Sequence, residues 1–366
     1  MSAPDAAAVE RALRTVIDPE LRRPMMDLGM LRDIAVDGDM LSLRVVLTTP
    51  ACPLKDRIQD DIDAAIVGRV DGINRVRITW DSDVSSTRGL PGRQEIPGVR
   101  NAVAVSAGKG GVGKTTVAVN VAIALRLAGA RVGLLDADVY GPNVPIMLGL
   151  SDHPQKSPSN RILPMQRHGL EVMSFGTILK PGQPVIWRGP MLAKALGEFL
   201  YNVSWGELDY LVVDLPPGTG DVQLSLAQTM PMTGAVICTT PQDVSLADVA
   251  RGIEMFRKLN VSVLGIVENM SGFICPHCNE RTDIFGAGGG RELAERYELP
   301  LLGSIPLDPR IRLGDGTSPF MVTSRDTPVG RIFGDVASHI AAEVSKENYA
   351  AQAGPAMPGP RVPLAR

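Results

Sequence analysis

The chain has 366 residues, 44% hydrophobic and 21% charged, with a formal net charge of −3. That length predicts two domains and a linker, and the charge balance argues against a dedicated nucleic-acid binder. The best apolar run, Val117 to Leu127, is interrupted by Asn120 and Arg126 and falls short of a membrane span.

The first residues lack a basic start followed by an apolar block, so they do not read as a secretion signal. Four cysteines in so long a chain make no disulfide framework. Two of them stand as Cys275-Pro-His-Cys278, which reads as metal or redox chemistry in a reducing compartment. A cytoplasmic protein without membrane or nucleic-acid partners is expected.

Residues 1–81 read as a small α/β domain. Val9, Leu13 and Val16 share one face of a helix spanning Asp5 to Val16. Leu41, Leu43, Val45 and Leu47 alternate as in a half-buried strand, after a hairpin signal at Asp37-Gly38-Asp39. A helix is expected from about Cys52-Pro53, then a closing strand through Val76, Ile78 and Trp80.

Residues 82–98 lack periodicity and carry several breakers, so they read as a linker. From Val99 the pattern becomes buried strands alternating with helices. Strands are expected at Ala102–Ser106, Arg131–Leu135, Leu211–Val213, Ala235–Thr239, Leu264–Val267 and Leu301–Ile305. Helices are expected at Thr115–Ala128, Ser245–Leu259, Gly290–Tyr297 and Val329–Val344. The fold class that follows is α/β, with a mostly parallel sheet covered by helices on both faces over residues 99–348. Residues 349–366, rich in Pro, Ala and Gly, read as a disordered tail.

Gly108-Lys109-Gly110-Gly111-Val112-Gly113-Lys114-Thr115 fits G-x-x-x-x-G-K-[ST] between a strand and a helix. Glycines let backbone N–H groups converge on phosphate oxygens, and the helix start adds its positive end. Lys114 suits the β- and γ-phosphates of ATP, and the Thr115 hydroxyl suits a magnesium shell. Asp214 ends an apolar strand, where a carboxylate would meet Mg2+. Asp136 and Asp138 follow the next strand, and Asp138 is a candidate to orient the attacking water; either could simply cap a turn.

The residues from Gly108 through Thr116 carry a resemblance. The extra Lys109 resembles the deviant Walker A loop of the MinD, ParA and nitrogenase iron-protein class, which implies a homodimer with Lys109 acting on the partner's nucleotide. Asp136-Ala-Asp-Val-Tyr-Gly-Pro-Asn143 and Asp214-Leu-Pro-Pro-Gly-Thr-Gly-Asp221 resemble its two switch segments. Asn269 resembles its adenine-contacting position, and Pro306-Leu-Asp308 does so less specifically. Together with Cys275-Pro-His-Cys278, these motifs resemble the Mrp (ApbC) family of iron–sulfur cluster carriers over roughly residues 99–344. Asp18-Pro19-Glu20, Asp27-Leu28-Gly29 and Thr48-Thr-Pro-Ala-Cys52-Pro53 resemble the small iron–sulfur assembly domain often fused to that family.

Two thiolates two residues apart hold one edge of a metal site, and a stable site wants four ligands. Two subunits each donating Cys275 and Cys278 would complete it. The resemblance implies a bridging [4Fe–4S] cluster, with apo iron–sulfur proteins and cluster scaffold proteins as partners. A shared structural zinc takes the same ligands, and a redox pair is a third reading. His277 reads as a bystander and Cys238, inside an apolar strand, as core. Cys52 at a helix start is expected to have a lowered thiol pKa and to be reactive or a transient cluster ligand, against a bland reading as a small buried hydrophobe. A MinD- or ParA-like positioning ATPase and a small-molecule ligase of the same fold are the competing functions, and neither explains Cys275 and Cys278.

Overall fold

The computed structural model describes residues 5–86, 95–178, 189–275, 277–278, 280–313 and 318–353. The first domain begins with α1 (Ala6–Leu13), capped by the Asp5 carboxylate accepting from the Ala7 N–H. It continues through β1 (Leu31–Asp37), β2 (Met40–Leu47), α2 (Lys55–Ile66) and β3 (Arg75–Ser82). β1 and β2 form a hairpin closed by the pair Asp37 and Met40, at the turn the sequence marks. β3 lies parallel to β2, so α2 is the crossover between them. Leu41, Leu43, Val45 and Leu47 face a core shared with Val9, Leu13, Ile58 and Ile62. β1 buries only Leu31, and without alternating burial its extent has no pattern to betray it.

The second domain runs β4 (Val99–Ala107), α3 (Lys114–Leu127), β5 (Val132–Asp136), α4 (Val144–Leu148), β6 (Met165–Arg167), β7 (Leu170–Ser174) and α5 (Gly189–Tyr201). Next come β8 (Leu208–Asp214), α6 (Asp221–Thr229), β9 (Gly234–Thr239), α7 (Asp243–Lys258) and β10 (Val263–Ile274). It ends with β11 (Arg281–Thr282), α8 (Gly289–Arg296), β12 (Leu301–Leu307), α9 (Pro309–Leu313), α10 (Phe320–Ser324) and α11 (Pro328–Ala353). The sheet order is β11-β10-β9-β4-β8-β5-β7-β6, with β12 also paired to β10. Among the described residues only its β6–β7 and β10–β11 pairs are antiparallel.

Alternate residues of each central strand feed opposite faces. Val103, Val105, Val212 and Val236 pack with α3 and α11. Ala102, Ala104, Val213 and Ile237 pack with α5, α6 and α7. That two-sided burial is why the strands read as continuous apolar runs. β4 sits between β8 and β9, which puts the loop after it at the carboxyl edge of the sheet, where α/β folds take ligands.

The first domain docks through the segment after β2. Tyr210 Oη donates to Thr49 Oγ1 at 3.2 Å, both buried, and Ala51 joins the core around α3 and α11. Arg23 stacks over the Tyr349 ring, 5.4 Å from its centroid.

Two boundaries read from sequence shift. α11 reaches Ala353, so residues 349–353, assigned to the tail, are helical, and 354–366 lie outside the described residues. The helix continues because Asn348 is fully buried and donates to the Ser85 carbonyl at 2.9 Å and to Asn101 Oδ1 at 2.8 Å. Of the linker, Ser82 closes β3 and Ser85 makes that contact, while 87–94 lie outside the described residues.

Candidate functional site

The phosphate loop is shaped by what a side chain would strike. A Cβ on Gly108 would lie 2.5 Å from the Asp248 carbonyl carbon. Gly113 has φ +80°, and a Cβ there would meet Asn269 Nδ2 at 2.3 Å. Only glycine fits both positions. Val112 is buried, its carbonyl accepting from Asn269 Nδ2 at 2.9 Å, with Cys238 Sγ at 3.7 Å. Gly110 and Gly111 are exposed at the tip, and Thr116 sits in the first turn of α3, its carbonyl accepting from Asn120.

Behind the loop lies a buried charge cluster. Lys114 Nζ contacts Asp214 Oδ1 at 2.5 Å and Asp138 Oδ2 at 3.7 Å. Thr115 Oγ1 donates to Asp214 Oδ2 at 2.7 Å. The fold thus gathers Lys114, Thr115, Asp138 and Asp214 from three strand ends. Asp136 is fully buried beside them and accepts from Ser174 Oγ at 2.8 Å and from the Asp138 and Val144 N–H groups at 3.1 and 3.3 Å. It ties both ends of the segment 138–144 to the sheet. Burial first, and then the charge of Asp214, push its carboxyl up to about 7. Burial likewise raises Asp138 and Asp214, with Lys114 opposing. Lys114 thus has two carboxyl groups in ion-pair reach, and the Thr115 hydroxyl and Asp214 carboxyl beside it are oxygen donors of the kind a magnesium nucleotide site uses.

Lys109 is half-buried, and its Nζ donates to Gln242 Oε1 at 3.2 Å, at the N-terminal end of α7. Neither Gln242 nor Ser174 carries a motif, and both reach the site by contacts distant in sequence. The segment after Asp214 folds back on β4, with Leu215 N–H on the Val105 carbonyl and Gly218 N–H on that of Ala107.

The cysteine pair stands at a hairpin tip. β10 extends past the strand read from sequence to Ile274 and turns into β11, pairing Phe273 with Thr282 and Ile274 with Arg281. Cys275 N–H donates to the Glu280 carbonyl at 3.0 Å and closes the turn. Cys275 is half-buried; His277 and Cys278 are exposed. Hydrogen bonds from the backbone of Cys278, then of His277, to the Cys275 sulfur lower its thiol pKa. A turn that offers N–H groups to its first sulfur already stabilises the thiolate a metal requires. Among the described residues no group of three or more His, Cys, Asp or Glu is placed to hold a metal ion.

Cys52 departs from expectation. α2 starts at Lys55 with Leu54 as its cap, which leaves Cys52 outside the turn where the helix dipole acts. Burial, reinforced by Glu20 and Asp18, pushes its thiol up to about 11, the reverse of an activated thiol. Cys238 is fully buried in β9, as its apolar surroundings predict.

Residues 98–341 match the family model described as NUBPL iron-transfer P-loop NTPase, and residues 6–80 match one for an iron–sulfur cluster assembly protein. The iron–sulfur cluster carrier protein of Synechocystis sp. is 49% identical over 92% of this chain and 97% of its own length. Its counterpart in Deinococcus radiodurans is 48% identical over 92% and 95%. A nucleotide-binding protein from Archaeoglobus fulgidus, solved in complex with ADP, aligns with TM-score 0.57 at 40% identity. That alignment covers 65% of this chain and 93% of the other. With two family models in register with its two domains and relatives matched nearly end to end, this chain belongs to the Mrp/ApbC-type iron–sulfur cluster carriers, which are P-loop ATPases.

Proposed function

We propose that the chain works as a homodimer that holds an iron–sulfur cluster as cargo between the Cys275–Cys278 pairs of two copies and hands it to apo iron–sulfur proteins. The observation that carries this reading is the hairpin tip. It presents two accessible sulfurs, one with its thiol pKa lowered by backbone hydrogen bonds of the turn, and no third ligand among the described residues. Two such tips supply the four thiolates of a [4Fe–4S] cluster. Cluster scaffold proteins are the matching donors, in the cytoplasm. Among the described residues no helix is long and apolar enough to cross a membrane.

In the same reading the amides of Gly108 to Thr116 bind the phosphates of ATP, and Lys114 exchanges Asp214 for the β- and γ-phosphates. Thr115 and Asp214 would hold Mg2+, which neutralises charge on the transferring phosphoryl group. Asp138 orients the attacking water, Asn269 contacts the adenine, and Lys109 reaches the nucleotide of the second copy. The half-exposed Lys109 is held by a hydrogen bond to the neutral amide of Gln242, a partner that a phosphate can replace.

Anaerobic reconstitution with iron and sulfide, followed by incubation with an apo-ferredoxin, tests the proposal. The expected result is a [4Fe–4S] absorption and EPR signature on the chain that appears on the acceptor. Zinc in place of iron, or a loaded chain that never transfers, would overturn it.

A further inference from the structure

The strand that leads into Cys275 is bonded directly to the phosphate loop. Asn269 lies in β10, and its Nδ2 donates to the Val112 carbonyl at 2.9 Å. The same amide lies against Gly113, with the Met270 methyl beside it. Cys275 lies six residues further along the chain.

Between the two points β10 is irregular. Asn269 pairs with Ile305 and Phe273 with Leu307, so β10 takes four steps where β12 takes two. Met270 holds φ +57° and Gly272 +151° inside this bulge. A methionine in the left-handed region is strained by about 1 kcal/mol or more, and persists only where its surroundings impose it. Here the constraints come from both ends: Asn269 is tied to the phosphate loop, and the Ser271 carbonyl accepts from Arg281 of β11 at 2.9 Å. A bulge redirects the strand beyond it, and beyond it lies the cysteine turn.

We propose that Asn269 and Met270 are positioning residues for the cysteine pair. Asn269 is the handle on the phosphate loop, and Met270–Gly272 is the joint that re-aims the hairpin tip when the loop takes up nucleotide. The inference rests on the reading of Cys275 and Cys278 as the cargo site, and adds the path by which nucleotide reaches it.

The test uses the metal-free full-length chain, so it stands apart from whether a cluster can be loaded. Alkylation rates of Cys275 and Cys278 are read peptide by peptide, with and without a saturating non-hydrolysable ATP analogue and magnesium; Cys52 serves as internal reference. Nucleotide should change the Cys275–Cys278 rates about five-fold or more in the native chain. Asn269→Ala and Met270→Gly should bring the ratio to within about two-fold. A merely structural role would shift basal rates and leave that ratio intact. Met270→Gly keeps the Asn269 amide and decides alone if Asn269→Ala loses nucleotide. A native chain that binds the analogue without a change in ratio, or a variant that binds it and keeps the full response, overturns the proposal. Absence of a cluster after anaerobic reconstitution would instead remove the carrier reading.

Discussion

The phosphate-loop centre and the cysteine hairpin are built on opposite principles. Around Lys114, buried groups on several strands constrain one another: Asp214 meets both Lys114 and Thr115, and Asp136 accepts from three donors. The hairpin tip has two paired residues on each arm and an exposed Cys278. A group held by many buried partners keeps its geometry before substrate arrives. One held by few can rearrange, since few exposed hydrogen bonds and little buried surface make local opening cheap. In the proposed function, hydrolysis would sit where the fold is rigid and cargo where it yields.

The comparison breaks most sharply if the two regions are not separable. Replacing Cys275 and Cys278 together with serine should abolish iron and sulfide binding while ATP hydrolysis stays within about two-fold. Metal analysis and phosphate release check both halves of that statement.

Lys114→Ala should lower hydrolysis by at least about 100-fold, the usual loss when a main charge-stabilising group is removed. Cluster loading on the distant thiols should persist. If loading also fails, the centre and the tip are one cooperative unit.

The thiols should separate by pH. Only thiolate reacts, so Cys275, lowered by its turn, titrates first as pH rises, and Cys52 follows near 11. At pH 8 the gain in thiolate fraction is partly offset by the lower nucleophilicity of the lower-pKa sulfur. Cys275 should still alkylate at least about ten-fold faster than Cys52. Peptide-resolved iodoacetamide labelling reads this directly; equal rates would contradict the burial of Cys52.

The smallest effect is expected at the domain seam. Tyr210→Phe removes the hydrogen bond to Thr49 and should cost about 1 kcal/mol in denaturant unfolding. A much larger loss would mean that the docked first domain supports the phosphate-loop domain more broadly.

How much of this was legible in sequence followed the range of the forces involved. The loop at Gly108–Thr115 was readable because its glycines answer local demands, two of them visible as clashes a Cβ would create. The central strands were readable because burial on both faces leaves unbroken apolar runs. The sequence predicts β10 only to Val267 because Glu268, Asn269 and Ser271 are polar, yet all three are buried. Glu268 is satisfied by the Gly290 N–H at 2.6 Å and Asn269 by Val112, partners that lie far along the chain. Cys52 misled for the same reason: a helix start is local, but the burial that raises its thiol comes from tertiary packing. Ser174, Gln242 and the Thr49–Tyr210 seam likewise have no local signature.

The most direct test of the account is the iron and sulfide content of the anaerobically reconstituted chain, measured together with its native mass. The account predicts a dimer with about two iron and two sulfide per chain, one four-iron cluster shared by two cysteine pairs. A monomer carrying a complete cluster, or a dimer that binds iron equally well without Cys275 and Cys278, would contradict it.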